Sequence, residues 1–207
     1  MWRNFVTNII LRMRNYISKV RRGVGAFLFI LKNKKHFGYY GNKVRVYKPL
    51  QIDGINNIYL RENVRVHEGT WLAAIPITGN CNVKLEIGKG SSIGHFNHIF
   101  ATQSIVIEKE VLTADKVYIS DNQHGYEDIN ISIIKQPIIQ CRPVTIGEGS
   151  WLGENACVIG ASIGKHSVIG ANSVVIHDIP DYCIAVGAPA RVVKKYDFQE
   201  KKWKKVM

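Results

Sequence analysis

The chain has 207 residues, 46% of them hydrophobic, and carries a formal net charge of +12, a length that suits one domain with an appendage. Residues 1–52 hold twelve basic side chains and no acid before Asp53, while the remaining 155 balance 16 basic against 16 acidic. The surplus therefore belongs to an N-terminal segment, which argues against a nucleic-acid groove and for a negatively charged membrane face. The four cysteines (Cys81, Cys141, Cys157, Cys183) form no CxxC pair and no zinc-finger spacing, so they read as reduced thiols of a cytoplasmic protein with no metal site. No apolar run reaches the 18 residues a membrane-spanning helix needs, and no signal peptide is recognisable.

Residues 2–20 place Trp2, Phe5, Val6, Ile9, Ile10, Met13, Ile17 and Val20 at helical spacing, with Arg3, Arg12, Arg14 and Lys19 largely off that stripe. Gly23 and Gly25 weaken the helix, and a second apolar patch from Phe27 to Leu31 precedes Lys32, Lys34 and Lys35. A basic amphipathic helix of this kind either lies on an anionic membrane surface through residues 1–35 or packs on the rest of the fold, and the two are compatible.

From Gly41 a weak repeat begins, with Val44, Val46, Ile52, Ile58, Leu60, Val64 and Val66 as inward candidates. It returns to clear register at Ile87 and Ile93 and continues through Ile107, Thr113 and Ile119. At Ser120 it breaks. The stretch of about 121–143 has no such period and predicts a loop protruding from a rigid scaffold; loops of that length are usually functional.

From Pro143 to Lys194 the period is plain, in the blocks IGEGSW, LGENAC, a shortened VIGAS, IGKHSV and IGANSV. An aliphatic residue opens each (Ile146, Leu152, Val158, Ile163, Ile169), and a glycine follows in four (Gly147, Gly153, Gly164, Gly170). A small residue sits near the fifth place (Ser150, Ala156, Ser162, Ser167, Ser173). A period of six is neither the 3.6 of a helix nor the 2 of a strand; it is one side of a solenoid. The opening residue points inward, the glycine frees the backbone for a turn of unusual φ and ψ, and the small residue fits a narrow corner. Three blocks make a triangular coil of about eighteen residues. The expected fold is all-β: a helical segment over 1–40, a parallel β-helix over 41–193 and a basic tail over 194–207. Cys157, inside a block, reads as a small buried hydrophobe.

This stretch strongly resembles the hexapeptide-repeat acyltransferases, whose solenoid is a left-handed β-helix, and the final IPDYCIAVGAPARVVK resembles the end of their maltose and galactoside O-acetyltransferase branch. The run YISDNQHGYED, followed by QPI and PVTIGEGSWLGENA, is similar to the lipopolysaccharide and capsule O-acetyltransferases of that fold, where the loop motif is commonly Asp-His-Asn-His-Gly-Tyr. Here it is Asp121-Asn122-Gln123-His124-Gly125-Tyr126: Asn122 replaces the first histidine and His124 keeps the second.

The resemblance implies a homotrimeric O-acetyltransferase with acetyl-CoA as co-substrate and a sugar or polysaccharide acceptor. A sugar hydroxyl is a poor nucleophile, and the neutral imidazole of His124 would take its proton during attack on the thioester, with Asp121 or a backbone carbonyl fixing the tautomer. Carried over residue by residue, Trp151, Glu154 and Ala171 fall near the thioester and pantetheine arm. Ile176, His177, Arg191 and Lys194 fall towards the nucleotide, where the two basic side chains suit phosphates. Asn97, His98 and Tyr126 fall on the acceptor side, with His95 beside them. The turn between Ile159 and Ile163 is shortened to Gly160-Ala161-Ser162 and lacks the family's Pro-Gly pair. Other readings are a small acceptor (a free sugar, an antibiotic or serine), a metal enzyme like the γ-class carbonic anhydrases built on His95, His98 and His124, and a non-catalytic scaffold. The basic N-terminus favours a lipid-linked glycan and a protein peripheral on the inner face of the cell membrane.

Overall fold

The computed structural model describes Met13 and residues 23–206; the amphipathic stripe expected over 2–20 lies outside these apart from Met13, which is exposed. Very short parallel strands wind round three sides in turn. Tyr39–Tyr40, Ile58–Leu60, Lys84–Ile87, Ser104–Ile107 and Val144–Ile146 stack on the first side. Arg45–Val46, Arg65–Val66, Ser92–Ile93, Leu112–Thr113, Trp151–Leu152, Val168–Ile169 and Cys183–Gly187 stack on the second. Gln51–Asp53, Trp71–Ala74, His98–Ala101, Tyr118–Ser120, Cys157–Ile159 and Val174–Val175 stack on the third. Each strand pairs with the one a full turn later, so the chain is a three-sided prism whose core is a column of stacked side chains. Leu60, Ile87, Ile107 and Ile146 form one file of that column; Val46, Val66, Ile93, Leu152 and Ile169 form another; Leu72, Ile99, Ile119, Val158 and Val175 form the third, and all are buried.

No complete turn has the expected eighteen residues. Along the first side Tyr40 pairs with Leu60, Leu60 with Ile87, Ile87 with Ile107, Ile107 with Ile146, Ile146 with Ile163 and Ile163 with Ile179, steps of 20, 27, 20, 39, 17 and 16 residues. The variation has one location. From a first-side core residue to the second side is always six residues (Leu60 to Val66, Ile107 to Thr113, Ile163 to Ile169), and so is the next step (Val66 to Leu72, Thr113 to Ile119, Ile169 to Val175). Only the return from third side to first changes, from four residues (Val175 to Ile179) to 27 (Ile119 to Ile146). The hexapeptide period is thus the spacing of two edges, and the third edge is free of it.

The repeat glycines are explained differently from the expectation. The left-handed backbone at the corners falls two residues after them, at Gly149, Asn155, His166 and Asn172, with φ of 69°, 63°, 49° and 58°. Gly153 and Gly164 are needed for space: a Cβ on Gly153 would lie 2.6 Å from the backbone nitrogen of Ala171, and one on Gly164 2.3 Å from that of Asp181. The next turn passes too close for any side chain. The small fifth-place residues do fill narrow corners. Ser150 and Ser167 are buried, and their hydroxyls donate to the Gly164 and Pro180 carbonyls (2.8 Å each) while accepting from the Ser167 and Cys183 amides (3.1 Å each). Cys157 faces outward, half-buried between Tyr118 and Val174; the buried cysteine is Cys183.

Residues 23–33 form an α-helix despite Gly23 and Gly25. Phe29 meets Phe37 edge-on (ring centroids 6.3 Å), and Phe37 meets Tyr40 (5.2 Å), so the helix closes the open end of the column, as terminal elements of a stacked repeat must. The basic segment from Lys194 is not a trailing tail. Ala190–Asp197 runs back antiparallel along Cys183–Gly187, and Lys202–Lys205 pairs with it in turn, extending the second side. Tyr196 and Trp203 pack across this hairpin (5.4 Å), and Lys204, hydrogen-bonded to Asp197, pulls that carboxyl down to about 2.

Candidate functional site

Both long insertions, residues 75–83 and 121–143, leave the prism at its variable edge, and they are tied together there. The longer one departs at Asp121, which is fully buried. One carboxylate oxygen of Asp121 accepts from the Thr102 amide (2.7 Å), the Thr102 hydroxyl (3.0 Å) and the Asn122 side chain (3.2 Å), and the other accepts from the Gln103 and Ser104 amides (2.8 Å each). Three backbone N–H donors converging on one carboxylate make a strong, geometrically exacting anchor. None of these bonds goes to His124, so the orienting role expected of Asp121 is corrected: it fixes the root of the loop.

The return limb is fastened to the same point. Asn122–His124 pairs antiparallel with Ile138–Gln140, His124 opposite Ile138. Gln140 donates to the Asp121 carbonyl (2.7 Å) and accepts from Thr78 (2.6 Å) and Asn80 (3.1 Å), which joins the two insertions, and it shares the single Thr102 hydroxyl proton (2.9 Å) with Asp121. Asn122 is buried and donates to the Phe100 carbonyl (3.1 Å). The position where the resembled motif has its first histidine is therefore a packed root residue here. His124, two residues on, is exposed on the hairpin, followed by Gly125, whose amide donates to the Pro137 carbonyl (2.9 Å), and by the exposed Tyr126. The result is an accessible imidazole on a rigid mount.

On the acceptor side the structure separates the expected residues. Asn97 is buried inside a corner, its amide donating to the Ala114 carbonyl (2.9 Å) and the His95 carbonyl (3.3 Å), so its expected place on an acceptor surface is corrected. His98 faces outward in an aromatic file that sequence reading missed. Its ring stacks on Trp71 at 4.2 Å and 6°, with Phe100 at 5.9 Å and Tyr118 at 5.2 Å. Burial pushes the His98 pKa down, and its Nε2 has no partner among the described residues. The signal was available: these residues hold the outward positions of consecutive third-side strands, ending three residues before the loop root at Asp121. His95 lies apart, its Nδ1 3.1 Å from Asp115. Among the described residues no group of three His, Cys, Asp or Glu could hold a metal ion.

The residues assigned to coenzyme A fall in two places. Trp151, half-exposed, pairs in register with Val168, Val168 with Ile184 and Ile184 with Lys194, so Trp151 and Lys194 lie three strand spacings apart in one row across the second side. At about 4.8 Å per strand that row is about 14 Å long, enough for an extended arm. Arg191 lies on the same strand as Lys194, opposite Val186, and Glu154, paired with Lys116 at 3.3 Å, and the exposed Ala171 occupy the turns at the flank of the row. Ile176 and His177 are exposed at the variable edge, beyond Val175. Trp151 and His124 are thus on different faces of one chain.

Residues 143–176 match the profile of the hexapeptide repeat of succinyl-transferase. The chain is 38% identical over 120 residues to WbbJ of Escherichia coli K12, named for lipopolysaccharide biosynthesis O-acetyl transfer, across 55% of this chain and 61% of that one; it spans about three fifths of that relative's length. It is 27% identical over 154 residues to the galactoside O-acetyltransferase of the same organism, 74% of each chain. Among solved structures, the N-acyltransferase AntD of Bacillus cereus, crystallised with dTDP and 3-hydroxybutyryl-CoA, superposes with a TM-score of 0.67 at 19% identity, over 81% of this chain and 87% of that one, a likeness of fold.

Proposed function

We propose that this chain, a member of the hexapeptide-repeat acyltransferase family, moves an acetyl group from acetyl-CoA to a hydroxyl of a surface polysaccharide or of its lipid-linked precursor. The observation that carries the reading is His124: an exposed imidazole on an anchored hairpin, at the one edge the repeat leaves free. Similarity to WbbJ and to the galactoside O-acetyltransferase supports the reaction class, and the acyl-CoA bound by a fold neighbour supports the donor.

His124 acts as general base. Its neutral ring accepts the proton of the acceptor hydroxyl as that oxygen attacks the thioester carbonyl, and the protonated ring then returns the proton to the departing sulfur. A backbone N–H stabilises the oxyanion. Trp151 walls the thioester end, the row to Lys194 carries the pantetheine arm, and Arg191 and Lys194 meet the phosphates. We read the coil as left-handed and the active assembly as a homotrimer, each site joining the variable edge of one copy to the second side of the next. His98 and Tyr126 are the acceptor-side candidates, with residues 1–35 holding the enzyme at an anionic membrane surface. A soluble glycan is the second reading, favoured by the 74% overlap with the galactoside enzyme.

The test is thioester consumption by the purified protein with acetyl-CoA and a panel of glycans. His124→Ala should lower transfer by at least about 100-fold while coenzyme A still binds. Undiminished transfer in that variant would remove His124 as the base.

A further inference from the structure

A cleft of about 800 Å³ separates the N-terminal helix from the second side of the prism. Its two walls differ in kind. Gly23, Ala26, Phe27 and Ile30, one face of the helix, line one wall. Opposite them stand Lys43, Arg45 and Arg65. Arg45 and Arg65 are register partners on adjacent strands, and both point outward. Two arginine side chains rising from strands about 4.8 Å apart repel each other, and an anion between them relieves the repulsion. Among the described residues none of these three cations joins an ion pair, and the cleft's own carboxylate, Glu68, is 3.3 Å from Lys48. The N-terminal segment cannot supply the missing charge, since no acid precedes Asp53.

The volume exceeds what a bare phosphate fills and falls in the range of pockets for whole small molecules, roughly 300–1,000 Å³. Next to Phe27 on the helix, Val24, Leu28 and Leu31 are more than half exposed, an apolar stripe at helical spacing. A cationic wall, an apolar wall and an apolar exit together select an amphiphile with an anionic head.

We infer that this cleft binds a lipid mono- or diphosphate, the phosphate on Arg45, Arg65 and Lys43 and the first carbons of the chain along Ala26, Phe27 and Ile30. The inference deepens the reading of a lipid-linked acceptor and takes its purpose from it, but binding needs no transfer, so the two fail separately.

The experiment is titration calorimetry on the full-length protein with decyl phosphate below its aggregation concentration, beside inorganic pyrophosphate, dTDP and decyl maltoside. Decyl phosphate should bind, at least about tenfold more weakly in Arg45→Gln/Arg65→Gln and several-fold more weakly in Phe27→Ser. Lys89→Gln, an exposed cation elsewhere, should bind as wild type. The double variant should melt no lower than wild type, because it removes a like-charge pair. His124→Ala should bind decyl phosphate with unchanged affinity even though transfer is lost. No binding of decyl phosphate, equal binding by the double variant, or pyrophosphate or dTDP binding as tightly as decyl phosphate would each overturn the inference.

Discussion

Burial between Trp71 and Tyr118 holds the His98 imidazole below the ordinary histidine value of 6.5. The unfolded chain therefore takes up that proton before the folded one does. The stability attached to the ring is full above about pH 6.5 and drains as pH falls through that value towards the folded pKa. Asp115, held low by the His95 amide, and Asp178, held low by the Ser162 amide, give up their share only in the carboxylate range, below about pH 4. We expect the urea midpoint to drop between pH 7 and 5, and His98→Leu to flatten that segment while leaving the acid limb in place. Parallel curves for the two proteins would remove His98 from the account. At this scale only part of the arrangement is legible in the letters. His124 stands out in its motif, but nothing in the letters says that Asp121 turns inward to the Thr102–Ser104 amides, or that Asn97 is enclosed. Those facts depend on which turn passes next to which, information a six-residue period does not hold.

The hairpin that bears His124 has no turn signature of its own; its limbs, Asn122–His124 and Ile138–Gln140, are separated by residues 125–137, too many for a tight turn to set the register. Gln140 sets it instead. Gln140→Ala should remove the acceptor that joins Thr78 and Asn80 to the loop root and weaken the hairpin by about 1–3 kcal/mol. Hydrogen exchange should then quicken across 122–140 and stay unchanged in the stacked strands, and unchanged protection of 122–140 would show that the hairpin is held by other contacts. The repeats were more legible than the loop, because two edges of every turn keep one spacing and expose it directly in the sequence. The third edge, with steps from 4 to 27 residues, hides the turn length. For the same reason the letters do not show what the repeat glycines are for: the crowding at Gly153 and Gly164 comes from residues 18 and 17 positions later in the chain.

In one chain the imidazole of His124 and the indole of Trp151 look out from different faces, so the proposed reaction needs two copies at each site. Two variants that each fail alone, His124→Ala and Trp151→Ala, should complement when unfolded and refolded together: random mixing regenerates a whole site at about one interface in four. Recovery near a quarter of native activity fits a site shared between copies, and no recovery would place both groups in a single protomer. The confinement of all length variation to one edge has a further meaning for descent. A residue gained or lost there shifts no stacked pair on the other two edges, so insertions at 75–83 and 121–143 are close to neutral for the column. Lineages can therefore lengthen or trim that rim while the stacked strands inherit unchanged, and divergence among relatives should be concentrated as gaps on a single border of the prism.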